Sequence, residues 1–171
     1  MGKITDFKDL RLRDGVYHLK NEEKPFTGKY GVYYDDGQLA ETGEMKNGLY
    51  DGRFIIWNEE GIKMLDGGYS KGKKHGKVSM FYSNGSLKSE LFLKNDKRQG
   101  IAKIWYPNGI LKLEAFYVND QLEGKQTKWY DSGQKEMVVN YKNNLENGKK
   151  EIWNKDGQKI FEGEFIDGEV V

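Results

Sequence analysis

Several groups of residues have the types and spacing to do chemistry, and each requires a context that the chain can be checked for. The stretch Gly67-Gly-Tyr-Ser-Lys-Gly72-Lys73-Lys74 is one mismatch from a phosphate-cradling loop. Such a loop needs Ser or Thr after its lysine to hold Mg²⁺, and it opens a helix. Lys74 stands where the hydroxyl belongs, and no helical pattern follows. The same residues contain Gly68-Tyr-Ser70-Lys-Gly72, the Gly-x-Ser-x-Gly form of a serine nucleophile elbow. That elbow needs an acid and then a histidine further along the chain. The only histidine after Ser70 is His75, and no acid lies between them. His18 and His75 are the only histidines, and neither has ligand-spaced partners for zinc. Asp35-Asp36 and Glu59-Glu60 have the residue type of a glycosidase pair, but both precede a glycine and read as solvated turn charge. Asp35-Asp-Gly37 lacks the alternating oxygen ligands of a calcium loop. With no cysteine, disulfides, thiolate metal sites and cysteine nucleophiles are excluded. No catalytic residue, metal ligand or cofactor is assigned, and the chain reads as a non-enzyme.

Composition narrows the alternatives further. Lys+Arg 28 against Asp+Glu 27 gives a formal charge of +1 over 171 residues, so the broad basic field of a nucleic-acid binder is missing. Only 36% of residues are apolar against 32% charged, which fits a thin layer better than a thick core. No apolar run approaches a membrane span. The first ten residues hold no apolar h-region, and with the absence of cysteine this gives a cytoplasmic expectation. The chain has 22 Gly, only 2 Pro and 13% aromatic residues, the mark of many short strands joined by tight turns.

Those elements are set by an internal repeat. Gly28, Gly52, Gly76, Gly100, Gly124 and Gly148 recur at a spacing of 24, and Gly37, Gly61, Gly85, Gly109, Gly133 and Gly157 form a second ladder at the same spacing. Five residues after the first ladder come Tyr33, Trp57, Phe81, Trp105, Trp129 and Trp153. Seventeen after it come Met45, Tyr69, Leu93, Tyr117, Tyr141 and Phe165. The second-ladder glycine follows Asp36, Glu60, Asn84, Asn108, Ser132 or Asp156, and most of these tolerate the positive φ of a hairpin turn. Alternation at Leu111, Leu113, Ala115 and Tyr117 marks a strand after it, and Lys46-Asn-Gly48, Lys71-Gly-Lys73 or Asn119-Asp120 marks a second turn. One copy is one hairpin. The expected fold is all-β: an elongated, twisted antiparallel meander of six tandem 24-residue hairpins over residues 28–171, a single continuous domain. Residues 1–27 break the register and read as an N-terminal cap with a turn at Asp14-Gly15. The tryptophan column is expected in the core. The C-terminal strand is expected as an exposed edge, leaving a monomer or an edge-paired dimer.

The stretch Gly68-Tyr69-Ser-Lys-Gly72-Lys-Lys-His-Gly76-Lys resembles the Tyr/Gly-rich unit of MORN repeats. The unit Gly-Lys-x-x-x-Trp-Tyr-x-x-Gly at Gly124–Gly133, varied at Gly100–Gly109, is similar to the bacterial MORN variant found in YwqK-type antitoxins. Lys24-Pro25-Phe26-Thr27-Gly28, after Asp14 to Tyr17, is similar to how such chains begin. The resemblance covers residues 11–168. It implies a stack of hairpins and a non-enzymatic interaction role, with an immunity or antitoxin function as the specific form.

Candidate binding residues follow from strand parity and from departures from the repeat. Tyr34, Tyr82, Tyr106 and Tyr130 share a parity with Val32, Ile56, Met80, Ile104 and Ile152, and tyrosine gives large contact area at low entropic cost. This row either binds or is buried by a roll of the sheet. The slot before the Met45/Tyr69 column is polar or glycine at Glu44, Gly68, Asn140 and Glu164 but apolar at Phe92 and Phe116. These two, with Leu91 and Leu93 beside them, form either an exposed patch or a contact to residues 1–27. The expected site is therefore a protein-binding surface of Tyr34, Tyr82, Tyr106, Tyr130, Phe92, Phe116 and Ile104, facing a protein partner such as a toxin. The alternative is a scaffold on anionic membranes, using Lys71, Lys73, Lys74, His75 and Lys77 with Lys94, Lys97 and Arg98.

Overall fold

The structure, a computed structural model, describes residues 3–171. It is all-β, made of antiparallel hairpins, with no α-helix among the described residues. The chain divides into two compact units, Met1–Gly85 and Ser86–Val171.

The first unit holds β1 (Ile4–Asp6), β2 (Leu10–Arg13), β3 (Val16–Leu19), β4 (Gly28–Tyr33), β5 (Leu39–Lys46), β6 (Leu49–Trp57), β7 (Lys63–Ser70), β8 (Lys73–Lys74) and β9 (Gly76–Phe81). Strands β4 to β9 pair antiparallel in chain order, while β1 runs parallel to β4 with Ile4 opposite Lys29. A separate hairpin, β2–β3, turns at Asp14-Gly15, where both residues have positive φ. The second unit holds β10 (Leu87–Lys94), β11 (Lys97–Arg98), β12 (Gly100–Trp105), β13 (Leu111–Val118), β14 (Gln121–Leu122), β15 (Gly124–Trp129), β16 (Lys135–Lys142), β17 (Leu145–Trp153), β18 (Lys159–Ile166) and β19 (Glu169–Val170), again antiparallel in chain order.

The two turns of each copy are built differently. Asn47-Gly48, Lys71-Gly72, Asn95-Asp96, Asn119-Asp120, Asn143-Asn144 and Asp167-Gly168 have both residues at positive φ, the two-residue turn whose twist matches that of paired strands. In the other turns only the second-ladder glycine has positive φ. The residue before it does not enter the left-handed region as expected; in the Gly37 and Gly109 turns it acts through its side chain instead, while Asn58 and Asn154 cap the Gly61 and Gly157 turns. Asp36 Oδ1 accepts from the Gln38 N–H at 2.8 Å, and Asn108 Oδ1 accepts from the Ile110 N–H at 3.1 Å. Glycine alone supplies the backbone freedom, and Asp, Asn or Ser supplies the cap.

Strand parity gives each sheet an apolar and a polar face. In the first unit the apolar face centres on the cross-strand row Tyr30, Gly43, Phe54, Gly67 and Val78. The glycines make room for rings: a Cβ on Gly43 would stand 2.6 Å from the Tyr30 ring, and one on Gly67 2.7 Å from Phe54. The N-terminal residues cover this face. Leu10, Phe26, Tyr30 and Met45 form a buried cluster with Phe7, Tyr17, Leu19, Val32 and Tyr50 against it, and Phe7, Tyr17, Tyr30 and Tyr50 are linked by ring contacts of 5.3–5.7 Å. The second unit closes its own apolar face with cationic side chains. Arg98 lies 4.1 Å over Tyr117, Lys150 lies 5.1 Å over Phe165, and Leu93, Ala115 and Val139 are buried.

The tryptophan column is not the centre of this core. Trp57, Trp105, Trp129 and Trp153 are half-buried, because their slot lies at the strand end, where the register shifts by one residue before the turn.

Candidate functional site

The expected tyrosines are fixed by the repeat. Tyr34 donates its hydroxyl proton to the Trp57 carbonyl at 2.8 Å, Tyr106 to the Trp129 carbonyl at 2.9 Å and Tyr130 to the Trp153 carbonyl at 2.8 Å. Each of these three tyrosines therefore ties its own copy to the strand end of the next. Rungs near the opposite turns run the other way: the Gly48, Gly72, Asp120, Asn144 and Gly168 N–H groups donate to carbonyls of the preceding copy at 2.7–3.1 Å. The ring faces are used as well, with Lys112 Nζ 5.1 Å over Tyr106 and Lys155 Nζ 5.9 Å over Tyr130. Tyr82, like the other three, is half-buried.

Ile104 belongs to the apolar face. It stands opposite Leu113 and Ser89, and the row continues through Lys128, Met137, Ile152 and Phe161. Phe92 and Phe116 point from the polar face instead, at 44% and 40% exposure. The expected residues thus do not form one surface: Phe92 and Phe116 share a face that Ile104 does not.

A third residue, absent from the expected site, joins them. Ile101 on β12 is directly opposite Phe116 on β13 and is 55% exposed. On its other side β10 runs with Glu90 opposite Lys103, a register that brings Phe92 alongside two residues further on, where the Phe92 carbonyl accepts from Gln99 N–H at 2.8 Å. Phe92, Ile101 and Phe116 therefore line up across three strands. The sequence does carry a signal for Ile101, since its slot is basic in every other copy: Lys29, Arg53, Lys77, Lys125 and Lys149. Leu93 is buried and Leu91 half-buried, so neither extends the patch.

Beside the patch an ion pair crosses the strands, and others hold the far strands of the same unit. Lys103 meets Glu114 at 3.0 Å, and in the same unit Lys149 and Lys159 hold Glu151 and Glu162 at contacts of 2.5–3.2 Å. In the first unit the slot pair matching Ile101 and Phe116 is Lys29 and Glu44, which meet at 3.5 Å, and Asp66 is held by Arg53 and Lys63. The hydrogen bond from Arg53 and the ammonium of Lys63 lower the Asp66 carboxyl from 3.8 to about 2. Hydrogen bonds from Lys149 and Lys159 lower Glu162 from 4.5 to about 2.

Beside Phe116 the surface dips into a recess of about 480 Å³ lined by Ile101, Glu114, Ala115, Phe116, Glu123, Gly124 and Lys125. Its floor exists because Gly124 adopts φ +69 and carries no side chain; nothing lies within 4 Å of where its Cβ would be.

The residues considered for catalysis stay apart. Among the described residues no three His, Cys, Asp or Glu side chains gather as metal ligands, and no helix is long and apolar enough to cross a membrane. Ser70 lies at the end of strand β7, which leads into a two-residue turn. Of the basic cluster, Lys71, Lys73, Lys74, Lys77, Lys94 and Lys97 are exposed, while Arg98 binds Asp120 at 3.0 Å and covers Tyr117.

Comparison with known proteins agrees with this architecture. The family model described as "MORN repeat variant" matches residues 26–47, 74–95, 98–119 and 122–143, just over half the chain. The segments 50–71 and 146–167 fall in the same phase and carry the same turns at Lys71-Gly72 and Asp167-Gly168. No curated protein matches the sequence. Among solved structures, a chain of the GtfA/B complex bound to UDP and GlcNAc is similar at 11% identity over 71% of this chain and 25% of that one, with a TM-score of 0.27, a likeness that carries no argument. This chain spans about a quarter of that chain's length. On the four matched segments, the chain belongs to the MORN repeat variant family.

Proposed function

We propose that the protein is a non-enzymatic binding module that grips a protein partner through Phe92, Ile101 and Phe116, in the manner of an immunity or antitoxin-type protein that covers a partner's working surface. One observation carries this. Three large apolar side chains lie exposed, side by side, at slots that hold charged, polar or glycine residues in the other copies. The repeat serves as its own control. Lys29 and Glu44 complete the same hairpin pairing without apolar groups, so folding does not require Ile101 and Phe116. Exposed apolar anchors within a polar rim are the usual anatomy of a protein interface.

A membrane scaffold would need an unbroken basic field beside these side chains. Around the patch Lys88, Lys94, Lys103, Lys112 and Lys125 are interspersed with Glu90, Glu114 and Glu123, which dilute the field an anionic surface would meet. The test is native capture from the host with wild type and with Phe116→Glu, alongside flotation with anionic vesicles. A stoichiometric protein retained by wild type and lost by the variant supports the proposal. Equal retention by both, or vesicle binding that vanishes at high salt with no protein partner, overturns it.

A further inference from the structure

At four places in this chain an aromatic ring and a nearby carboxylate share a cation. Arg98 covers Tyr117 at 4.1 Å and binds Asp120 at 3.0 Å. Lys150 covers Phe165 at 5.1 Å and binds Glu146 at 2.6 Å. Lys63 covers Phe81 at 4.8 Å and binds Asp66 at 2.9 Å. Lys159 covers Trp153 at 5.7 Å and binds Glu151 at 2.5 Å. The physics is common to all four: the ring quadrupole and the carboxylate both attract the cation, while its alkyl stem buries apolar surface.

The recess beside Phe116 brings a ring and carboxylates together in the same way, and among the described residues no cation lies over the Phe116 ring. Phe116 forms one wall, and Glu123 and Glu114 line the rim. Glu123 is held in place by accepting the Asn143 N–H at 3.0 Å and makes no ion pair among the described residues. Glu114 is shared with Lys103. Ile101 offers an apolar track, and the open space over Gly124 gives entry. Lys125, a cation among the lining residues, opposes a second one.

We infer that this recess is the socket for an arginine side chain of the protein partner. The guanidinium stacks on Phe116 and faces Glu123, and the stem lies along Ile101. Arginine fits better than lysine because its planar head stacks on a ring and bonds a carboxylate at the same time. The inference rests on the proposed protein-binding role and specifies the chemistry of its anchor.

The test is a titration of the isotopically labelled full-length chain followed by NMR, with N-acetyl-arginine methylamide as probe. Its uncharged isostere, the citrulline analogue, and the norleucine analogue serve as controls. The arginine probe should shift the amide signals of Ala115, Phe116, Gly124 and Lys125 saturably. The citrulline analogue should bind about fivefold or more weakly, since it keeps the shape and loses the charge. Glu123→Gln should weaken the arginine response by a similar factor, and Lys125→Met should strengthen it. Equal response to arginine and norleucine would overturn the arginine socket and leave the apolar patch standing. No response to arginine at any concentration would also overturn the socket. Retention of the captured partner by Phe116→Glu is the separate result that removes the patch itself.

Discussion

At the residue scale, the side chains that look alike in sequence have three different employments. Tyr34, Tyr106 and Tyr130 are rungs, Ile104 is part of the apolar face, and Phe92, Ile101 and Phe116 are exposed on the polar face. Substitutions should separate them. Tyr130→Phe removes only the hydroxyl that bonds the Trp153 carbonyl, so it should lower stability by about 1 kcal/mol in urea unfolding while partner binding is kept. Ile101→Lys restores the residue type of the other copies at an exposed position, so it should leave stability within about 0.5 kcal/mol and abolish capture of the partner. Loss of folding by Ile101→Lys would show the patch to be structural.

At the scale of elements, the hairpin ladder is legible in the sequence because each turn type imposes a backbone requirement that few residues meet. Residue types and spacing alone place Gly37 and its five successors, and the Asn-Gly, Asn-Asp and Asn-Asn pairs of the opposite turns. Lys71 is the exception, a long side chain held at φ 50° where asparagine is far more comfortable. Lys71→Asn should stabilise the chain by about 0.5–1 kcal/mol, read as a raised urea midpoint at unchanged slope. What is not legible depends on register and on reach. The one-residue shift at Ile104/Trp105 moves the tryptophan slot out of the core centre, and no composition count reveals a bulge. The tyrosine rungs join residues 23 apart through side-chain hydroxyls, which strand parity alone does not predict. Phe92 and Phe116 stand out as departures from the repeat. Ile101 can be found in the same way, because a lone isoleucine in a basic column is the same kind of departure.

At the scale of the whole molecule, a formal charge of +1 conceals paired charges on the strands of each unit. Asp66 and Glu162 titrate near 2, below their ordinary 3.8 and 4.5, because cationic neighbours favour the ionised form. A carboxyl lowered in the folded state contributes stability that is fully present above its unfolded value and is lost as pH falls towards its folded value. The melting temperature should therefore be flat from neutral pH to about 4.5 and fall steadily towards pH 2. Asp66→Asn should make that fall shallower. In the second unit the row Phe92–Ile101–Phe116 sets three exposed apolar side chains side by side across neighbouring strands among charged residues, and the proposed binding role stands on that grouping. Covalent side-chain footprinting of the captured complex tests it most directly. Phe92, Ile101 and Phe116 should become protected when the partner binds, while Tyr33 and Ile160, exposed elsewhere, keep their labelling. Protection that falls elsewhere and leaves these three side chains as reactive as in the free protein would contradict it.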